Sequence, residues 1–231
     1  MTAIETISET AFPRFGMLHH ILSDCTSEHL FSLGNQNLLK HHLLGLICSI
    51  QCPGSIVIQT FDAMRELRDA GVVVIGGFHS PMERECLDIL LRGSQPVILC
   101  AAKRLRGLRL GAAARKALKG GRILVITPFG DQVKRTTAAQ AIQRNELVAA
   151  LAVAMLIPYA APGGKTEATA QNVLARGQPL FTFADENNAH LIKAGAAAYE
   201  LVRVRTALQD EPCGLERGTQ IADQGERVLS T

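Results

Sequence analysis

Three short segments carry the residues best suited to chemistry. They are Cys48-Ser49-Ile50-Gln51-Cys52-Pro53-Gly54, Gly76-Gly77-Phe78-His79-Ser80-Pro81-Met82-Glu83 and Ala161-Pro162-Gly163-Gly164-Lys165-Thr166-Glu167. Each follows an apolar run, and each leads into a stretch with helical spacing. At such a junction the first backbone N–H groups of the helix lack intrahelical partners, and the helix dipole presents its positive end, so phosphates bind there. Gly163 and Gly164 let backbone approach an anion, while Lys165 and Thr166 add a cation and a hydroxyl. A glycine turn followed by a solvated lysine reads the same residues equally well. Gly76 and Gly77 follow the same logic. Beyond them Ser80, Pro81 and Glu83 match a capping box with proline at the first helical position. His79 there is either a donor to a ligand or a surface histidine. Glu83 and Glu167 each lie a few residues past a phosphate-site candidate, and are the carboxylates that would activate water if the chain hydrolysed a nucleotide N-glycoside.

Other chemistries are excluded by spacing. No segment fits the dinucleotide fingerprint G-x-G-x-x-G. Gly-Gly-Lys-Thr looks like the end of a Walker A loop, but the position five before Gly164 is Tyr159, so no phosphate cradle closes. The histidine pairs at 19–20 and 41–42 lack the H-E-x-x-H spacing, and no G-x-S-x-G elbow occurs. The six cysteines (Cys25, Cys48, Cys52, Cys86, Cys100, Cys213) contain no C-x-x-C; Cys48 and Cys52 form a single C-x-x-x-C. Three lie in or beside apolar runs, where a thiol acts as a small hydrophobe. Neither a zinc site nor a disulfide framework is expected, and no cofactor.

The charges are segregated. The net charge is only +3, yet residues 89–130 hold nine basic side chains and no acid: Arg92, Lys103, Arg104, Arg106, Arg109, Arg115, Lys116, Lys119 and Arg122. Lys134, Arg135 and Arg144 extend the set. This reads as the electrostatic footprint of a polyanion, against the plainer alternative of a solvated helix face. With no tryptophan and two tyrosines, a stacking platform for bases is poorly supplied, so contact would run through phosphates.

The elements that must position these residues alternate along the chain. Apolar runs at 43–50 (LLGLICSI), 72–75 (VVVI), 96–101 (PVILCA), 123–127 (ILVIT), 154–160 (AMLIPYA) and 180–183 (LFTF) are nearly continuous, as strands buried on both faces are. Between them lie segments of helical spacing, several closing at glycine (Gly71, Gly93, Gly120, Gly177). The expected fold is α/β: a Rossmann-like, doubly wound, mostly parallel sheet of about six or more strands flanked by helices. It should occupy residues 34–195, with an N-terminal helical arm over 1–33 and a C-terminal helix and polar tail over 196–231. In all, 231 residues, 47% of them apolar and 19% charged, suit a globular chain able to bury a core without staples. No basic, apolar leader opens the sequence and no apolar run spans a membrane, so a cytoplasmic protein with no membrane partner is expected.

Taken together these loops resemble the DprA/Smf family of DNA-processing proteins, within the superfamily that includes the Lonely Guy nucleotide hydrolases. Gly34-Asn35-Gln36-Asn37-Leu38-Leu39 is similar to the family's G-N-x-x-L-L lead-in, and Ser49 falls where the family has its G-S-R turn. Val74-Ile75-Gly76-Gly77 resembles V-I-S-G. Arg144-Asn145-Glu146-Leu147-Val148-Ala149-Ala150-Leu151 matches R-N-x-I-I-A-x-L. Gly163-Gly164-Lys165-Thr166-Glu167-Ala168 sits at the family's S-G-S-x-x-T-A. Gly77 to Glu83 stands where the family has G-x-A-x-G-I-D, with Glu83 near the aspartate's place. The resemblance implies a homodimer that binds single-stranded DNA and hands it to a RecA-type recombinase during DNA uptake. Arg144 and Lys165 would meet phosphate charges, and Ser49, Asn145 and Thr166 would donate hydrogen bonds. Gly-Gly-Lys-Thr-Glu is also similar to the Lonely Guy motif P-G-G-x-G-T-x-x-E, which would imply a nucleoside monophosphate ligand, either hydrolysed or merely sensed.

Overall fold

The computed structural model describes residues 3–7 and 29–209. Within them a single nine-stranded sheet runs in the order β1-β2-β6-β5-β4-β3-β7-β8-β9. The strands are β1 (Ile4–Ile7), β2 (Leu30–Gly34), β3 (Leu43–Leu46), β4 (Val73–Gly76), β5 (Val97–Cys100), β6 (Ile123–Thr127), β7 (Ala154–Leu156), β8 (Leu180–Thr182) and β9 (Ala197–Ala198). The helices are α1 (Gly54–Asp69), α2 (Pro81–Leu91), α3 (Ala112–Lys119), α4 (Ala138–Leu151), α5 (Lys165–Ala175), α6 (Ala189–Ala194) and α7 (Leu201–Gln209). Every one of the six apolar runs coincides with a strand, β4 extending one residue past its run. Their continuous hydrophobicity has a direct cause: β3, β4 and β6 are buried along their whole length because helices cover both faces.

The two faces are built from different helices. Leu147, Val148 and Leu151 of α4, Ala170 and Val173 of α5 and Leu191 of α6 pack on Leu43, Ile75, Ile98 and Leu124. Met64 and Leu67 of α1, Cys86 and Leu90 of α2, Ala114 and Ala117 of α3 and Val204 and Leu208 of α7 pack on Leu44, Val74, Val97 and Ile123. From β3 the chain winds outward through β4, β5 and β6, then returns to β7 on the other side of β3 and winds the opposite way. β3 pairs in parallel with both β4 and β7. The reversal lies between β3 and β7, and the loops leaving the carboxyl ends of these strands flank the crevice it creates. α4 makes the return and lies over β3 and β4.

Two expectations are corrected. The described parts of residues 1–33 are strands rather than a helical arm: β1 pairs antiparallel with β2, and β2 antiparallel with β6. The open side of β6 offers β2 a partner and β2 in turn holds β1, whereas Ile4-Glu5-Thr6-Ile7 has no apolar–polar alternation to announce a strand. Residues 8–28 lie outside the described residues. Near the other end, the expected C-terminal helix does not begin at residue 196: it is α7, and a short strand precedes it. Gly195, at φ +115°, ends α6, and the alanines after it extend to pair with β8 before α7 begins. The polar tail, 210–231, lies outside the described residues. Among those described, no helix is long and apolar enough to cross a membrane.

Candidate anion-binding rim

Arg144 is the unusual residue of the site. Thr137 caps α4, its hydroxyl accepting from the Gln140 N–H at 3.3 Å while the Gln140 side chain accepts from the Thr137 N–H at 2.7 Å. This fixes the start of the helix and so the direction of every later side chain. Arg144 precedes Leu147, Val148 and Leu151 by three, four and seven positions, so it continues the apolar stripe that faces the sheet. It is only 6% exposed. Its Nη1 donates to the Cys100 carbonyl at 3.4 Å, at the end of β5, and its Nε to the Asn145 side-chain oxygen at 2.8 Å. No carboxylate among the described residues lies within ion-pair distance of it. Burying a guanidinium this way costs several kcal/mol, and the low dielectric that imposes the cost also strengthens attraction for an anion.

Gly77 makes the room. A Cβ on it would fall 1.4 Å from Arg144 Nη1 and 2.0 Å from its Cζ. The guanidinium therefore lies directly on the backbone that leaves β4. Gly76 ends the strand, where a Cβ would meet the Leu46 carbonyl at 3.0 Å. Phe78 follows in the left-handed region at φ +46°, held there by a side chain buried in the core. Backbone strain of this kind in a non-glycine residue clusters at functional sites.

The same loop closes its own helix. Ser80 Oγ accepts from the Glu83 N–H at 3.1 Å, and Glu83 Oε2 accepts from the N–H groups of Ser80 at 3.1 Å and His79 at 2.9 Å. Glu83 Oε1 accepts from the Cys48 N–H at 3.3 Å, tying this loop to the one after β3. Glu83 and Ser80 are both buried, whereas the His79 side chain is exposed on the rim. The capping box of the sequence is thus present, and both Glu83 oxygens are occupied by backbone.

Ser49 laces the reversal point. Its N–H donates to the Tyr159 carbonyl at 3.0 Å, and its Oγ accepts from the Ala161 N–H at 2.9 Å. The hydroxyl proton is left to donate elsewhere. Beyond Ala161 a turn closed by Gly164 N–H to Ala161 O at 2.9 Å, with Gly163 at φ +71°, leads into α5. No side chain caps that helix. Lys165 is exposed, Thr166 is buried at 8%, and Glu167 Oε2 accepts from the Gly163 N–H at 2.6 Å while Oε1 stands 3.7 Å from His190 Nε2.

The chosen residues thus form two groups on one edge of the sheet. Gly76, Gly77, Arg144 and Asn145 meet at the ends of β4 and β5. Ser49 and residues 163–166 meet at the ends of β3 and β7. The groups are separated by about 10–15 Å, two to three strand spacings. The basic run, by contrast, is split. Lys103, Arg104, Arg106 and Arg109 lie in the loop after β5 and Lys134 and Arg135 in the loop after β6, on the same edge; Arg106 pairs with Asp131 at 3.1 Å. Arg92, Lys116, Lys119 and Arg122 sit where α2 and α3 end and β6 begins, at the opposite edge. Sequence reasoning set the Cys48–Cys52 pair aside as structural, yet the Cys52 thiol accepts a hydrogen bond from Cys48. It also passed over Asp185 after β8, which accepts from Ser55 and Gln59 of α1 at 3.3 and 3.5 Å. The C-x-x-x-C spacing was the signal for the former; nothing local marked the latter.

A reversed, mostly parallel sheet covered by helices on both faces defines the class: a Rossmann-like α/β fold. The family model for DNA recombination-mediator protein A matches residues 3–205, and the chain belongs to that family. DNA processing protein A of Helicobacter pylori, whose structure is described for its single-stranded DNA binding mode, superposes with a TM-score of 0.69 at 17% identity, covering 90% of this chain and 98% of that one. DNA processing protein A of Streptococcus pneumoniae gives 0.67 at 17% identity, over 86% of this chain and 71% of that one. The molybdenum cofactor carrier protein of Chlamydomonas reinhardtii shares the fold more distantly, with a TM-score of 0.51 at 11% identity over 73% of this chain and 99% of that one. No curated protein sequence matches.

Proposed function

We propose that the protein binds single-stranded DNA along the carboxyl rim of its sheet, through phosphates and without turnover. The observation that carries this reading is Arg144, a buried cation with no carboxylate of the described residues within ion-pair distance, resting on backbone that only a glycine leaves bare. One phosphate lies at Arg144, and another at the uncapped start of α5 with Ser49, Lys165 and Thr166 around it. The loop cations at 103–109 and 134–135 continue the track. The single-stranded DNA described for the Helicobacter pylori relative supports the choice of ligand. Family membership supports the further steps: a cytoplasmic homodimer that passes its strand to a RecA-type recombinase during DNA uptake. The engagement of Glu83 and Glu167 by backbone N–H groups speaks against nucleotide hydrolysis.

A titration of single-stranded and duplex oligonucleotides at two salt concentrations, with a nucleoside monophosphate as competitor, tests the proposal. Single strands should bind best, and affinity should fall steeply with salt. Tighter binding of the monophosphate than of the oligonucleotide, or release of its free base, would replace this reading with the nucleotide-hydrolase or sensor one.

A further inference from the structure

The loop that carries Ser49 is bracketed by two thiols. Bends at Ile50 and Gln51 turn the chain, and Cys48 and Cys52, four residues apart, pack on the same apolar cluster within hydrogen-bond reach of each other. They are unequal. Cys48 is 7% exposed and packs among the core side chains of the α1–α2 face, while Cys52 is half-exposed and packs against the same cluster from outside. The Cys48 S–H donates to the Cys52 sulfur, which holds the proton on Cys48 and favours the anion on Cys52; burial and the Asp185 charge oppose that effect at Cys52 without cancelling it. α1 begins two residues beyond Cys52, and its positive end favours a thiolate there as well. One accessible nucleophilic sulfur with a buried thiol beside it is the arrangement of a dithiol that oxidises in two steps.

We propose that Cys48 and Cys52 are a reversible modification site, closed to a disulfide by exchange with a low-molecular-weight disulfide and opened again by thiols. The Cys52 thiolate attacks one sulfur of the small disulfide, forming a mixed disulfide and expelling one thiolate. Cys48 then gives up its proton and attacks Cys52 Sγ, expelling the second thiolate. Two protein thiols are oxidised and one small disulfide is reduced to two thiols. The new bond shortens the reach between Cys48 and Cys52 and moves the residues between them. Ser49 would then lose its register with Ala161, and Cys48 its N–H contact with Glu83. The effect on the rim rests on the DNA-binding proposal; the disulfide itself does not.

The test exposes the full chain to mixtures of oxidised and reduced glutathione and follows it by mass spectrometry after alkylation. The single peptide holding both Cys48 and Cys52 should escape alkylation and be lighter by two hydrogens than its reduced, unalkylated form, with Cys86 still alkylated. Cys48→Ser should stop at a glutathione adduct on Cys52, and Cys52→Ser should leave Cys48 unmodified. Full alkylation of Cys52 in the oxidised buffer, or no adduct in Cys48→Ser, overturns the site. Single-stranded DNA should bind several-fold more weakly to the oxidised form; equal affinity overturns the coupling to the rim. If the reduced protein binds no DNA while the bond still forms, the DNA reading falls and the modification site stands.

Discussion

Two loops on the same edge of the sheet begin from the same sequence idea and end in opposite states. Both place a glycine pair after a parallel strand, and both put a glutamate at the third position of the next helix. At 76–83 the loop is closed: Ser80 caps α2, Glu83 answers it, and the remaining carboxylate oxygen holds the neighbouring loop. At 163–167 the helix start is open. Gly164 stands where Ser80 stands in the other loop, and a Cβ there would meet the Ala161 carbonyl at 2.8 Å, so the turn itself excludes a capping side chain. Glu167 reaches past the cap to the Gly163 N–H instead. The closed loop is a floor, and its contribution to binding is the bare backbone at Gly77 under Arg144. The open one presents its own N–H groups and a lysine. Rigidity and availability are thus divided between neighbouring loops.

The sharpest way to break this comparison is at the floor. Arg144→Met keeps the shape of the stripe and removes the charge. Losing a buried charge that pairs only with the ligand should weaken single-stranded DNA binding by about 2–5 kcal/mol. The thermal midpoint should be no lower than that of the wild type, because the free protein no longer buries an uncompensated charge. A variant that melts early yet binds normally would make Arg144 a structural residue.

Next in size is the contrast between the two glutamates. Glu83→Ala removes a capping partner and leaves three backbone N–H groups without their acceptor, so urea unfolding should show a loss of about 2–3 kcal/mol. Glu167→Ala removes one acceptor in a half-exposed turn and should cost at most about 1 kcal/mol. Equal losses would erase the distinction between a closed and an open loop. Lys165→Ala, smaller again, should leave stability unchanged and reduce the slope of log affinity against log salt by about 0.7, the share of one phosphate contact on a single strand. An unchanged slope removes Lys165 from the site.

How much of this was legible depends on whether the cause was local. The six central strands were, because burial on both faces writes itself as a continuous apolar run. The Ser80–Glu83 cap was, because its partners lie three residues apart. The outer strands were not: β1, β2 and β9 owe their conformation to the neighbours they pair with, and β9 is only Ala197–Ala198. Arg144 was chosen by resemblance, and its burial was readable in its spacing to Leu147, Val148 and Leu151. Its loneliness was not, since that depends on which loops surround it. The basic run misled because sequence adjacency ignores direction. In an alternating fold, residues that end a helix lie on the far edge from those that follow a strand, so Lys116, Lys119 and Arg122 were separable from Lys103–Arg109 once the alternation was recognised.

The finest test separates the loops by pH. Cys86 lies one turn beyond Glu83 on α2, and burial, aided by the Glu83 charge, pushes its thiol up to about 12 from an ordinary 9.0. The first turns of α5 hold no such group. Below pH 9 the thiol is protonated in both folded and unfolded chains, and its contribution to stability is complete. Between 9 and 12 the unfolded chain releases the proton and the folded one keeps it, so stability falls with rising pH, by at most about 1.4 kcal/mol at pH 10. Cys48, raised by its hydrogen bond to Cys52 and by burial, follows the same trend, while Cys52, lowered by that hydrogen bond, runs against it. The stability read from urea melts at pH 8, 9 and 10 should therefore fall with increasing steepness in the wild type, and Cys86→Ala should flatten the decline whatever it does to the stability at pH 8. Glu83→Gln should flatten it partly, by removing the charge that opposes the thiolate. A decline identical in all three proteins would place the alkaline sensitivity outside the closed loop.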